Sequence, residues 1–358
     1  MKTALNFGKP EHLLPPSWKS QVQQWLSEDT PSFDWAGFVV GEDEREGKLL
    51  GKRKGVLAGK PFVDEIFKQL DCRCAFSVIL VLFQLTRHGN SVEWHINEGD
   101  SFEPVKHIAT VRGAVRFLLL GERVALNVLS RCSGIASMSR WFLDTARDAG
   151  YEGIIAGTRK TTPGFRLVEK YAMIVGGIDA HRNDLSSMVM LKDDALGSIT
   201  NAVQAVRSVA GFSLRLDVEV QDEKEANEAI DAGADVIMLD NIAGEELHAV
   251  SRRLKEKWTD KRHFLLETSG GIEAHNLTER LGDSIDVREL FKRRALLTVN
   301  TDTQYERSAS ERSTHRLLDE NSAKLRKWID LNVTHRLRIT KVTRRVLSVD
   351  INKREDNQ

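Results

Sequence analysis

The sequence predicts an α/β protein in two parts: a small N-terminal α+β layer domain and a following β/α barrel. Three observations support this. After Gly150, short continuous apolar runs alternate with amphipathic stretches at about 20 to 26 residues per unit, as in a parallel sheet covered by helices. Those runs end on charged residues or glycine, as strands do where they open onto a ligand face. Before Gly150, strand-like and helix-like segments mix without a fixed period, which suits a layered α+β module.

Along the N-terminal part, Ser17 can cap a helix in which Trp18, Val22, Trp25 and Leu26 recur at helical spacing, and Pro31 to Asp34 end it. Phe38-Val39-Val40, Gly55-Val56-Leu57 and the run from His107 to Val111 have strand character. Gly59-Lys60-Pro61 opens a helix through Phe62, Ile66, Phe67 and Leu70. Residues 75–91 break this rhythm and read as an insertion: a continuous apolar run followed by the polar stretch Thr86 to Asn90. Such a run adds a buried strand or, left exposed, invites aggregation. Residues 116–147 are expected to be a long helix interrupted at Ser133-Gly134. It carries Glu122 and Arg123, which either form an internal ion pair or leave Arg123 projecting from an interface into an anion site.

In the barrel part, Ile154-Ile155-Ala156 leads to a helix near 166–174, and the run from Met188 to Leu191 is followed by 198–209. The run from Leu214 to Val220 precedes 223–233, and that from Asp235 to Leu239 precedes 245–258. The run from His263 to Glu267 ends in the turn Ser269-Gly270-Gly271. The resulting division is residues 1–149, residues 150–287, and a divergent tail over 288–358.

The composition is that of a globular protein: 358 residues, 41% apolar and 29% charged. A net charge of zero makes no general case for nucleic acid or a membrane surface. Cys72, Cys74 and Cys132 are too few and too unevenly spaced for a disulfide framework or a zinc site, so a reducing interior, the cytoplasm (or the nucleus), is expected. No signal region opens the sequence, and the most apolar run, Phe76 to Phe83, is far short of the roughly 20 residues that cross a bilayer.

In a β/α barrel, ligands sit where the strands end. The strand ends here carry Arg159-Lys160, Lys192-Asp193, Glu219, Asp240-Asn241 and Ser269-Gly270-Gly271, with His181-Arg182 just before the second strand. A single charged strand end is ordinary surface. Cations, two acids and a glycine turn on one face point instead to a polyanionic ligand. Arginine offers a planar fork for carboxylate or phosphate, and lysine a mobile point charge. The two acids suit hydroxyl groups or a magnesium ion, and the glycine turn can offer N–H groups to a phosphate. Together they describe a sugar phosphate and a carboxylated partner.

The sequence resembles the quinolinate phosphoribosyltransferases, the carboxylating nicotinate-nucleotide pyrophosphorylases. The matching text is the run from Gly121 to Asn127, that from Arg131 to Ala136, the whole of Gly157 to Arg166, Glu169-Lys170-Tyr171 and Val175-Gly176-Gly177. It continues in His181-Arg182, Asp184-Leu185, Met190 to Asp193, Val218-Glu219, Leu239-Asp240-Asn241 and Ser269-Gly270-Gly271. It spans about residues 12–286 apart from the insertion. The resemblance implies an incomplete, open β/α barrel of the type II phosphoribosyltransferase kind. It implies phosphoribosyl transfer from phosphoribosyl pyrophosphate to quinolinate with decarboxylation, giving nicotinate mononucleotide, pyrophosphate and CO2, in de novo NAD biosynthesis. It also implies Mg2+ and a homodimer with a shared site, within a hexamer in one arrangement. Arg159, His181 and Arg182 would grip the quinolinate carboxylates, with Arg123 entering from a partner subunit. Lys160 and Lys192 would hold phosphate or pyrophosphate oxygens and the substrate acid. Glu219 and Asp240 would bind ribose hydroxyls and lie near the Mg2+, and Ser269, Gly270 and Gly271 would cradle the 5′-phosphate.

Three stretches depart from that family: the insertion, the shortened loop from Lys192 to Gly197, and the tail after Val287, with about 17 Lys/Arg against about 10 Asp/Glu. A helix is expected over 323–331 and a disordered end over 353–358. The alternatives are an inactive relative with a basic tail, a gene model that reads through introns, and a nicotinate-type phosphoribosyltransferase that does not decarboxylate.

Overall fold

A computed structural model describes residues 8–72, 90–192, 198–242, 244–270 and 276–289, and the backbone of 303–307. Helix α1 (Trp18–Asp29) buries Val22 and Leu26. Helix α2 (Trp35–Val40) replaces the strand expected at Phe38-Val39-Val40. Asp34 Oδ1 accepts from Gly37 N at 2.8 Å to start it, and Gly41, at φ 72°, stops it. Phe38 and Val39 are exposed, so no sheet face was available to hold those residues extended.

Strands β1 (Glu44–Gly51) and β2 (Gly55–Val56) precede helix α3 (Lys60–Cys72). Strands β3 (Ser91–Trp94), β4 (Ser101–Phe102) and β5 (Lys106–Ala114) follow. β5 is flanked by β1 and β3, both antiparallel to it, and β2 pairs with β4. Phe62 of α3 lies edge-on to Trp18 of α1 with ring centroids 5.4 Å apart, which ties these two helices into one apolar cluster.

Helix α4 (Val115–Asp148) runs without a break through Ser133 and Gly134, against expectation. Ser133 Oγ accepts from Ala58 N at 3.1 Å and donates to Ala58 O at 3.0 Å, so the small residues mark a close approach of α4 to the chain after β2.

The second part follows as β6 (Ile154–Ala156), α5 (Arg166–Gly176), β7 (Val189–Leu191), α6 (Ile199–Ala210), β8 (Leu216–Val220) and α7 (Glu223–Ala232). It continues with β9 (Val236–Asp240), α8 (Gly244–Trp258), β10 (Leu265–Ser269) and β11 (Val287–Glu289). These strands form one sheet of order β6-β11-β10-β9-β8-β7, each neighbour parallel. β6 and β7 are consecutive in the chain yet hold opposite ends of that order, so the barrel is open between them. α5 buries Val168, Tyr171 and Met173 in the N-terminal core, whereas β8, β9 and the helices around them form a second core.

β11 requires a correction. The barrel was expected to end at Val287, with Arg288 and Glu289 in the tail. Instead both residues lie in a strand wedged between β10 and β6, paired Thr268 to Arg288 and Glu289 to Ala156. Within the tail, β12 (Thr303–Arg307) is extended. The expected helix at 323–331, the end at 353–358, the loop at 193–197 and nearly all of the 75–91 insertion lie outside the described residues.

Candidate active site

A cavity of about 270 Å³ opens at the C-terminal ends of the barrel strands. Arg159, Lys160, His181, Arg182, Lys192, Glu219, Asp240 and Ser269 all line it, joined by Thr158, Met190, Met238 and Glu289. Gly270 follows Ser269 with φ 88°, and a Cβ there would sit 2.5 Å from Asn241 Oδ1, so both the backbone angle and the space require glycine. Gly271 lies outside the described residues. Arg123 is exposed on α4 and does not line the cavity of its own chain.

The loop between β6 and α5 is braced from behind. Glu169, buried in the first turn of α5, pairs with Arg131 of α4 at 2.6 Å and accepts from Thr162 N at 3.1 Å. Arg131 Nη2 also donates to Thr162 Oγ1 at 2.9 Å, and Arg166 Nε to Thr161 Oγ1 at 3.0 Å. Charged groups that would be costly alone in a core are thereby paired, and they lock the loop that carries Arg159 and Lys160. Arg159 Nε is buried and has no hydrogen-bond partner among the described residues, leaving a donor for a ligand. Burial pulls the Lys160 ammonium below its ordinary pKa; the charge of Glu289 opposes this, and that of Lys192 adds to it.

The His181-Arg182 turn is held by Lys170 of α5, which donates to the carbonyls of Ala180 and Arg182. Burial lowers the Lys170 pKa to about 8. His181 adopts φ 56°, a left-handed backbone angle rare outside glycine, and its N–H donates to Asp179 Oδ1 at 2.6 Å. Arg182 N donates to His181 Nδ1 at 2.7 Å, so the ring proton sits on Nε2 and is donated to Glu267 Oε1 at 3.2 Å. Burial alone would lower the His181 pKa, but the Glu267 hydrogen bond and charge, helped by Glu289, raise it overall. Beneath the ring, Asp217 is 0% exposed with both carboxylate oxygens unpartnered among the described residues. One donor atom each of His181, Asp217 and Glu267 lie within 4.8 Å of one another.

On the opposite wall, Lys192 pairs with Glu219 at the end of β8. Asp240, at the end of β9, accepts from Asn241 Nδ2 at 2.6 Å. Burial, then the charge of Glu219, raises the Asp240 pKa, so two carboxylates at adjacent strand ends feel one another, an arrangement that a hard cation relieves. Ser269 Oγ donates to Glu289 Oε2 at 3.1 Å.

Sequence reasoning missed Glu289, Glu267, Asp217, Lys170, Glu169 and Arg131 as working parts of this region. A signal existed for most of them. Asp217 and Glu267 interrupt apolar strands, and Glu169-Lys170 interrupts an apolar helix, positions where a charge persists only with a partner. Glu289 carried no such signal, because its surroundings read as tail.

Family models match both parts of the chain: quinolinate phosphoribosyl transferase, N-terminal domain, over residues 34–133, and the C-terminal domain over residues 135–290. The chain is 45% identical over 284 residues to a nicotinate-nucleotide pyrophosphorylase (carboxylating) of Rattus norvegicus, covering 78% of this chain and 88% of that protein. It is 45% identical over 279 residues to the Homo sapiens protein of the same name, covering 77% of this chain and 87% of that one. The crystal structure of NadC from Streptococcus pyogenes superposes with a TM-score of 0.69 at 29% identity, covering 83% of this chain and 97% of that chain.

Proposed function

The chain belongs to the quinolinate phosphoribosyltransferase family, and we propose that the family's reaction runs in the strand-end cavity. The enzyme transfers the phosphoribosyl group of phosphoribosyl pyrophosphate to quinolinate with decarboxylation, yielding nicotinate mononucleotide, pyrophosphate and CO2. The observation that carries this assignment of the site is the convergence of Arg159, Lys160, His181, Arg182 and Lys192 on one cavity that also holds Glu219 and Asp240.

In this reading Arg159, His181 and Arg182 clamp the two quinolinate carboxylates and aim the ring nitrogen at C1 of the ribose. That placement turns a bimolecular encounter into a positioned one. The N–C1 bond forms as the C1–O bond to pyrophosphate breaks, and Glu219 and Asp240 stabilise the positive charge that develops on the ribose. Lys160 and Lys192 neutralise the departing oxygens. Once the ring nitrogen is cationic, the 2-carboxylate leaves as CO2, and the electron pair left at C2 is stabilised by the adjacent charge until a proton fills it. No covalent enzyme intermediate is required. The 5′-phosphate is assigned to Ser269, Gly270 and Gly271.

The paired carboxylates of Glu219 and Asp240 fit Mg2+, and with pyrophosphate oxygens they would hold it. The ion would supply charge neutralisation on the leaving group. Arg123, exposed on α4, is assigned to the site of a second copy, which makes the working unit a homodimer with a shared site. Among the described residues no helix is long and apolar enough to cross a membrane, and the compartment we assign is the cytoplasm.

CO2 and pyrophosphate release from the purified chain, with quinolinate and then nicotinate as acceptor, tests the reading. Equimolar release from quinolinate is expected. Preferential use of nicotinate would overturn it, because the cation cluster is larger than one carboxylate needs.

A further inference from the structure

We propose that Glu289 is a built-in counter-ion of the anion pocket, whose carboxylate substrate phosphate and carboxylate groups must outcompete for the same donors. The inference rests on the site reading above and adds a residue to it.

The placement follows from the sheet. Glu289 ends β11 beside Ala156 of β6, so its side chain enters the cavity between the Arg159-Lys160 loop and the end of β10. It is 7% exposed. Ser269 Oγ, the hydroxyl assigned to the 5′-phosphate, already donates to Glu289 Oε2 at 3.1 Å. The charge of Glu289 reaches much of the cluster: it favours the protonated forms of Lys160, Lys170, His181 and Arg182. It also disfavours ionisation of Asp217, Asp240 and Glu267.

Two consequences follow. With no ligand bound, a carboxylate among several part-buried cations offsets their mutual repulsion. When an anion enters, the same carboxylate withholds the Ser269 donor and repels the newcomer across a short, poorly screened distance. Anions that arrive partly neutralised by a cation are therefore favoured over bare ones, and Glu289 sets that preference.

The test is titration of inorganic pyrophosphate, without divalent metal, into the full-length protein by calorimetry at low salt. The Glu289→Gln variant keeps the shape and removes the charge. It is expected to bind pyrophosphate about tenfold more tightly than the wild type, the equivalent of about one pKa unit of interaction. Its KM for phosphoribosyl pyrophosphate should fall as well. Unchanged or weaker pyrophosphate binding by Glu289→Gln would overturn the proposal. A merely structural role for Glu289 predicts loss, never gain, of affinity. Should Glu289→Gln fail to fold, Glu289→Ser tested in the same way decides between the same two outcomes. Lys160→Ala, which removes a cation assigned to the pyrophosphate oxygens, separates the two levels of inference. If it leaves wild-type pyrophosphate binding intact, the assignment of the cavity fails. If it weakens binding while removing the Glu289 charge brings no gain, only the counter-ion fails.

Discussion

At the scale of single residues, the site depends on charges held where water would otherwise be preferred. Arg159 sits on a braced loop with Nε unpartnered among the described residues, so Arg159→Ala should lower kcat/KM for quinolinate by about 100-fold, read as CO2 release. Wild-type kinetics in that variant would reject its assigned role. Lys170 is 3% exposed, and its pKa in the folded protein is about 8 against an ordinary 10.5. Between those two values the unfolded chain binds more protons than the folded one, so this lysine makes stability rise with pH across that window. Lys170→Met should lack that rise in thermal melts taken from pH 8 to 10. It should also raise KM for quinolinate about tenfold, because the His181-Arg182 turn loses its donors. Arg159, Lys160 and Lys192 were legible beforehand because a strand end is a local feature. Lys170 was quoted in a motif but given no task, since its acceptors are carbonyls of a turn further along the chain.

At the scale of elements, α4 and α5 form the rear wall of the site. Their contact is close: a Cβ on Gly176 would lie 2.6 Å from Ala136 O, a backbone atom that a rotamer change cannot move aside. Gly176→Ala should therefore cost about 1–3 kcal/mol in denaturant unfolding. The Arg131–Glu169 pair links the same two helices to the loop between β6 and α5, and the Glu169 side chain is 5% exposed. Arg131→Met leaves that carboxylate without its charge partner, for a loss of about 3 kcal/mol in the same assay. Helical periodicity identified both elements. It did not identify α2, where three residues with high strand propensity were overridden by the Asp34 cap and the Gly41 stop. It also suggested a break at Ser133-Gly134, where small residues serve a close helix contact.

At the scale of the whole molecule, the proposed shared site has a direct test. Arg123→Ala and Lys192→Ala chains, each nearly inactive alone, should regain turnover when mixed and refolded together, because one class of site in the mixed dimer then has both residues intact. Failure to complement would place Arg123 outside the site. The sequence by itself determined the α/β class, the alternation of strands and helices after Gly150 and the collection of cations and acids at successive strand ends. All of these depend on short-range periodicity and on the direction in which each strand runs. Only the tertiary structure decided that β11 inserts between β10 and β6, that β6 and β7 are the strands flanking the opening expected in the barrel, and that Glu267 and Glu289 face His181 and Ser269. Those facts turn on which distant strands become neighbours. That choice is made by the burial of whole faces against one another, which the spacing of apolar residues along one strand does not specify.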